Sequence, residues 1–195
     1  MAKLYFRYGV MGSSKSAQAL ITKFNYEEQG MRVWLLKPAR DTRDGFNIIR
    51  SRIGLEQEGD AIEEDVDLFA VFQEREKEFY EVIIVDEAQF LMPEQVEQLR
   101  DIVDTYNIPV LCFGLRTDFR TKLFPGSARL LELADSISEL KTVCACGKKA
   151  TVNARLDQEG HVITQGEQIF LGGNESYRPM CYRCWKKAIK KEAEE

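Results

Sequence analysis

The sequence is short of positive charge. Its 195 residues carry 27 Lys and Arg against 32 Asp and Glu, a net charge of −5. Nothing in that balance favours a nucleic-acid backbone or an anionic membrane as a partner. Long apolar runs are missing too, and none approaches the roughly 20 residues that span a bilayer. No secretory leader is read, because Met1-Ala2-Lys3-Leu4-Tyr5 passes directly into a strand pattern. The expected location is cytoplasmic, so the five cysteines are expected as thiols rather than disulfides. Histidine is limited to His161, in a polar turn where it is not needed as a ligand. There is no internal repeat.

Hydrophobic residues make up 44% and charged residues 30%, a composition that can bury a sizeable core. The most informative stretch is Val82-Ile83-Ile84-Val85-Asp86-Glu87-Ala88-Gln89-Phe90. So short a run of β-branched residues reads as a strand buried on both faces, as in a parallel sheet. Two carboxylates stand at its C-terminal end, where open α/β sheets bind ligands. Adjacent strand residues point to opposite faces, so one carboxylate can hold magnesium while the other faces a substrate. The alternative is a surface acidic pair opening a turn.

Upstream, Leu4 to Tyr8 reads as a strand. Gly9-Val10-Met11-Gly12-Ser13-Ser14-Lys15-Ser16 follows, then Ala17, Leu20, Ile21 and Phe24 at helical spacing. The helix is expected to run to about Gln29 and stop at Gly30. This is the layout of a phosphate-binding loop, G-x-x-x-x-G-K-[ST], whose backbone N–H groups and helix N-terminus attract anions. Lys15 can reach the β/γ-phosphates and Ser16 can ligate magnesium. Ser14 replaces the second glycine, where a positive φ would be strained. An ordinary strand–helix loop is the alternative, disfavoured by the nearby carboxylate-ended strand that a P-loop requires.

Val33 to Leu36 reads as the second strand. Lys37-Pro38-Ala39-Arg40-Asp41-Thr42-Arg43-Asp44-Gly45 follows, its arginines either reaching phosphates or lying in a solvated turn. Arg50 to Gly54 reads as a further loop of no assigned type. Asp65 is the expected N-cap of a helix that buries Val66, Phe69 and Phe72 and reaches Phe79. Pro93 suits the first turn of the next helix, with Val96, Leu99, Val103 and Tyr106 on one face. Val110 to Leu115 is a strand containing Cys112, read as a small buried hydrophobe. The loop to Phe124 mixes cations and rings that can neutralise phosphate and stack on a base; Phe119 and Phe124 tucked into the core is the other reading. Ser127 to Ala134 reads as a short helix and Ile137 to Val143 as a last strand.

The composition then shifts. Cys144-Ala145-Cys146-Gly147 is answered downstream by Cys181-Tyr182-Arg183-Cys184. Two close pairs suit one tetrahedral structural zinc with four thiolates, against free thiols or a redox pair. Val152 to Leu156 and Gln168 to Leu171 are β-like runs between them, and the tail from Lys186 mixes both signs. The expected class is α/β. A P-loop domain, residues 1–143, has a mainly parallel sheet flanked by helices, and a small zinc-ribbon domain spans residues 144–195.

Taken in order, several pieces resemble the compact, zinc-containing family of thymidine kinases over nearly the whole chain. They are Gly9 to Ser16, Asp41-Thr42-Arg43, Asp86 to Phe90, the Phe119 to Phe124 loop, the cysteine pairs and Gly172-Gly173-Asn174-Glu175-Ser176-Tyr177. The resemblance implies a P-loop kinase-like fold whose zinc-ribbon domain carries a lasso loop over the nucleoside. The activity it implies is transfer of the ATP γ-phosphoryl group to the 5′-hydroxyl of thymidine. Glu87 would be the general base. Gly9, Val10, Met11, Gly12, Ser13, Ser14, Lys15 and Ser16 would surround the ATP phosphates with Arg43, Asp86 and Gln89. Phe119, Phe124, Gln168, Phe170, Gly172 and Tyr177 would surround thymidine, Phe119 packing on the thymine ring. Cys144, Cys146, Cys181 and Cys184 would hold structural zinc, and magnesium would enter with ATP. The resemblance further implies a homotetramer inhibited by dTTP. Two departures stand out: Ser14, and Arg116-Thr117-Asp118 where the family often has Asp-Gly-Thr.

Other classes use the same residues differently. Asp86-Glu87-Ala88-Gln89 also resembles the D-E-A-x box of a P-loop ATPase or helicase-like motor, in which the glutamate would activate water. Such a motor normally needs a second nucleotide-binding domain, for which this length leaves no room. A GTPase is disfavoured by the absence of an N-K-x-D motif. A zinc-dependent nucleic-acid-binding module is opposed by the net charge.

Overall fold

The structure is a computed structural model that describes residues 1–75, 79–168 and 176–192. In chain order the elements are β1 (Leu4–Tyr8), α1 (Lys15–Glu28), β2 (Val33–Pro38), β3 (Ile48–Arg50), β4 (Glu56–Glu58), β5 (Asp60–Ile62), α2 (Leu68–Glu74) and β6 (Val82–Val85). A 3₁₀ turn, Ala88–Phe90, leads to α3 (Pro93–Tyr106), β7 (Val110–Gly114), α4 (Pro125–Leu133) and β8 (Ser136–Glu139). The chain closes with β9 (Val152–Leu156), β10 (Val162–Ile163), β11 (Tyr177–Met180) and α5 (Tyr182–Glu192). No helix among the described residues is long and apolar enough to cross a membrane.

Six strands form one parallel sheet in the order β5-β2-β6-β7-β1-β8. The strand expected to be buried on both faces, β6, is central, and each of its residues is at most 1% exposed. Its side chains alternate between two cores. Ile83 and Val85 join Phe6, Trp34 and Leu99 on one face, whereas Val82 and Ile84 join Leu35, Phe113, Ala19 and Leu20 on the other. Burial of each such side chain contributes about 1.5–3 kcal/mol. The parallel register (Leu36 beside Val85, Val85 beside Cys112, Phe6 beside Cys112) brings the C-terminal ends of β1, β2, β6 and β7 to one edge.

Several boundaries differ from the expectation. The N-cap of α2 is Asp67, whose carboxylate accepts the Ala70 N–H at 3.0 Å, rather than Asp65. That helix stops at Glu74, and Phe79 is exposed at φ 52° just before β6. On α1, Ala17 and Leu20 are buried but Ile21 and Phe24 are 45% and 58% exposed. The inward stripe runs instead through Ala17, Ala19 and Leu20. The last parallel strand is Ser136–Glu139 rather than Ile137 to Val143; it leaves the sheet after Glu139 pairs with Tyr8.

Strands β9, β10 and β11 form a separate antiparallel sheet in the order β10-β9-β11. Helix α5 packs on it through Trp185 against Val152, Ala154 and Val162. Gln168 lies outside any strand. The rest of the Gln168 to Leu171 run, with Phe170 and Gly172, lies outside the described residues.

Candidate active site

The loop after β1 is shaped by close approach. A Cβ on Gly9 would stand 2.6 Å from the Leu140 carbonyl oxygen and 2.2 Å from Ser13 Oγ, so only glycine fits. Gly12 has φ 77° and Ser14 φ 60°. Ser14 therefore adopts the left-handed geometry that a glycine takes freely, at a cost of about 1–2 kcal/mol. It stands at the N-cap of α1 with no side-chain cap hydrogen bond. Lys15 is buried, and its Nζ donates to the Val10 carbonyl oxygen at 3.0 Å. Burial lowers its pKa to about 8, against the raising effect of Glu87 and Asp86.

Asp86 and Glu87 diverge, but strand alternation alone is not the cause. Glu87 lies beyond the strand at φ 50°, which turns the chain into the 3₁₀ turn. Asp86 is buried beneath the loop, where the Ser16 hydroxyl hydrogen-bonds to its carboxylate. Burial, then the neighbouring Glu87 charge, raises its pKa to about 7. Its Oδ1 is buried with no hydrogen-bond partner among the described residues, which is the environment of an acceptor awaiting a cation. Glu87 points outward. Its Oε1 accepts from Arg43 Nη2 at 2.6 Å, and its Oε2 accepts from Gln89 Nε2. Arg43 also donates to Asp41 at 2.6 Å. Burial pushes the Asp41 carboxyl up, but the hydrogen bond and charge of Arg43 outweigh it and hold it below the usual range.

Two cavities meet at this point. One, of about 590 Å³, is walled by Met11, Gly12, Ser14, Lys15 and Ser16 of the loop together with Arg43, Arg52 and Glu87. The other, of about 40 Å³, is lined by Glu87, Gln89, Phe119, Phe124, Gln168 and Tyr177 among others. Met11, Arg43, Glu87 and Leu115 belong to both walls. The smaller recess is much tighter than the larger cavity. Phe119 is 1% exposed, yet it packs in neither sheet core. The guanidinium groups of Arg155 and Arg120 sit 5.1 and 5.5 Å from its ring centroid. Phe124 packs edge-on against Phe90. Gln168 donates to Asp118 Oδ2 at 3.1 Å and to the Leu123 carbonyl oxygen at 3.2 Å.

The four cysteines expected to act together do converge. Their Sγ atoms all lie within 4.8 Å of one another, and Cys146 and Cys181 are 3.7 Å apart. Zinc–sulfur bonds of about 2.3 Å in a tetrahedron place sulfurs about 3.8 Å apart, whereas a disulfide needs about 2.05 Å. Backbone N–H groups of Cys146 and Cys181 hold the Cys144 thiol down at about 6, while the neighbouring sulfurs push Cys184 up to about 12. Four thiolates cannot share this space without a compensating cation, so the donor set fits zinc. Cys112 is remote in the sheet and buried, as expected.

Comparison with known proteins agrees with this geometry. The thymidine kinase family matches residues 2–185. A thymidine kinase of Enterobacteria phage T4 is 50% identical over 193 residues, covering 98% of this chain and 99% of its own. The chain belongs to the thymidine kinase family. Thymidine kinases of Legionella pneumophila (strain Lens) and Ruegeria pomeroyi are each 48% identical over 189 residues, covering 96% of this chain and 90% and 96% of theirs. Among solved structures, a Pif1 helicase from Candida albicans matches 73% of this chain and 36% of its own at 14% identity, with a TM-score of 0.44.

In this family member two site residues had no sequence signal. Asn153, 2% exposed in β9, accepts the Met11 N–H at 2.7 Å and donates to the Thr117 carbonyl oxygen at 2.9 Å. It ties the loop after β1 to the loop after β7, yet one asparagine in a β-like run carries no marker of such a role. Arg52 reaches the larger cavity from the untyped Arg50 to Gly54 stretch; only its placement over the loop reveals it.

Proposed function

We infer that this chain transfers the γ-phosphoryl group of ATP to the 5′-hydroxyl of thymidine, with Glu87 as general base. The observation that carries the reading is the position of Glu87 on the shared wall of a phosphate-sized cavity and an aromatic recess. Family membership supports the substrates. A primary alcohol is a weak nucleophile, so a carboxylate within reach assists by taking its proton as the oxygen attacks the γ-phosphorus. The β–γ bridging oxygen then leaves with ADP, and the remaining work is placement and charge neutralisation. Lys15 and the N–H groups of the loop hold the phosphates. Arg43 keeps Glu87 oriented and adds positive charge beside the reacting groups. Ser16 and Asp86 are the residues that would hold magnesium, and Asp86 Oδ1 is the acceptor in want of a cation. Bound there, magnesium would neutralise charge on the β- and γ-oxygens. Phe119, Phe124, Gln168 and Tyr177 would enclose the nucleoside.

The four thiols would hold a structural zinc that organises residues 144–195 as a unit distinct from residues 1–143. From the family resemblance we extend the proposal to a homotetramer, inhibition by dTTP and a cytoplasmic location. The test is ADP release with and without thymidine, on the wild type and on Glu87→Gln. Release should depend on thymidine, and the substitution should lower turnover by about 10²–10⁴-fold. ADP release that ignores thymidine and responds to nucleic acid would instead favour the motor. A Glu87→Gln protein with wild-type thymidine phosphorylation would remove Glu87 from its role.

A further inference from the structure

We propose that Arg52 is a second phosphate-binding cation, delivered over the P-loop by a preformed turn, and that it acts on the β–γ end of the triphosphate. The turn is built to hold this residue in place. Ser51 N–H donates to the Leu55 carbonyl oxygen at 2.8 Å, and Gly54 N–H to the Ser51 carbonyl oxygen at 3.1 Å. Ser51 Oγ accepts the Leu55 N–H at 3.0 Å, and Ser51 is buried. Gly54, at φ 89°, closes the turn. The hairpin that carries it is anchored separately, since Lys37 donates to the Ile48 carbonyl oxygen at 2.9 Å and Ile49 is buried in a sheet core.

What this arrangement presents is Arg52. Its Nη1 stands 3.7 Å from where a Cβ would lie on Gly12, and Arg52 lines the larger cavity. The charges of Arg52 and Arg43 both act on Lys15, against the larger opposing effects of Glu87 and Asp86. A polyanion entering this space would be attracted by these cations together. Lys15 and Arg52 both line that space, and a P-loop lysine reaches the β- and γ-phosphates. Arg43 lies on the walls of both cavities and bridges Asp41 and Glu87. Arg50 lines the same cavity and is paired with Glu56 at 2.6 Å. A guanidinium over the β–γ bridge would neutralise the charge that grows there as the bond to the bridging oxygen breaks, with no proton transfer of its own.

The inference rests on the P-loop reading, and direct nucleotide binding separates the two. The probes are ADP and a non-hydrolysable ATP analogue, each with magnesium, on the wild type, Arg52→Ala, Arg52→Lys and Lys15→Ala. For Arg52→Ala the analogue should bind at least tenfold more weakly, ADP within about twofold of wild type, and turnover should fall by about 10²-fold or more with the thymidine KM unchanged. Arg52→Lys should recover part of the analogue affinity. A purely structural turn would weaken ADP and analogue together, and that result would overturn the proposal, as would unaltered binding and turnover. Lys15→Ala should lose both nucleotides; if it retained them, the P-loop reading would fall and Arg52 with it.

Discussion

The two larger sheets of this protein store backbone strain in different ways. Around the parallel sheet, non-glycine residues occupy left-handed conformations at Ser14, Phe79, Glu87, Asn107 and Thr121. Around the antiparallel sheet, the described positive-φ residues are the glycines Gly147, Gly160 and Gly166. The parallel sheet has a core on each face, large enough to over-determine a strained residue costing about 1–3 kcal/mol. The small sheet has Val152, Ala154, Val162 and Trp185 and a cluster of thiols. So slight a core cannot carry such strain and needs a metal or similar staple. Two of the strained residues, Ser14 and Glu87, stand at the site itself. On the proposed reading, the parallel sheet would supply the chemistry, and a weaker unit held by zinc would supply Asn153, Gln168 and Tyr177 around it.

The largest effect should come from removing that staple. A structural zinc contributes an apparent 10–16 kcal/mol or so of binding free energy that is folding free energy for its unit. Cys181→Ser, or chelation, should release the metal and abolish thymidine binding, and weaken ATP-analogue binding less. The parallel sheet should survive, seen as retained far-UV circular dichroism and a separate thermal transition. A zinc-free protein with full activity would defeat the metal assignment. One cooperative transition lost as a whole would defeat the division into a robust and a dependent unit.

A smaller change should cut only the link between the two. Asn153→Ala leaves the Met11 N–H and the Thr117 carbonyl oxygen without their buried partner, at about 1–3 kcal/mol for each unsatisfied group. At about 2–4 °C per kcal/mol for a chain of this size, the melting temperature should fall by about 4 °C at least, and the KM for both substrates should rise. Asn153→Asp sharpens the test. The carboxylate still accepts from Met11 but no longer donates to Thr117, so the ATP KM should recover while the thymidine KM does not. If the Asp and Ala variants behave alike on both substrates, Asn153 is packing rather than a brace.

Legibility in the sequence followed range. The β6 strand and its carboxylates, the Lys15-Ser16 loop and the cysteine pairs are local patterns, and each was readable because neighbouring residues share one job. The α2 cap was misplaced by two residues, since Asp65 and Asp67 are equivalent by composition and only the Ala70 contact separates them. Ile21 and Phe24 fit an inward stripe by spacing, but the sheet covers a narrower arc of α1 than the apolar residues occupy. Asn153 and Arg52 were invisible because their partners, Met11 and Gly12, lie far away in the chain. The divergence of Asp86 from Glu87 was expected for an incomplete reason: the left-handed turn at Glu87, not the pleat alone, aims it at the recess.

The smallest expected effect bears directly on the strain comparison. Ser14 stands at the N-cap of α1, where a serine side chain usually accepts a backbone N–H and its loss costs about 1 kcal/mol. Here the φ of 60° leaves it with no cap hydrogen bond. Ser14→Ala should therefore be close to neutral, within about 0.5 kcal/mol, because it removes no bond and keeps the same strained φ. Ser14→Gly relieves about 1–2 kcal/mol of left-handed strain but gives the unfolded chain back about 0.5–1 kcal/mol of freedom. The net expectation is a stabilisation of about 0–1.5 kcal/mol, or up to about 6 °C in melting temperature, with the ATP KM within about twofold of wild type. Thermal unfolding of the two variants side by side decides the matter. If Ser14→Ala loses about 1 kcal/mol and Ser14→Gly loses as much, the hydroxyl caps the helix after all, and Ser14 is not a strained residue held in place by the sheet beneath it.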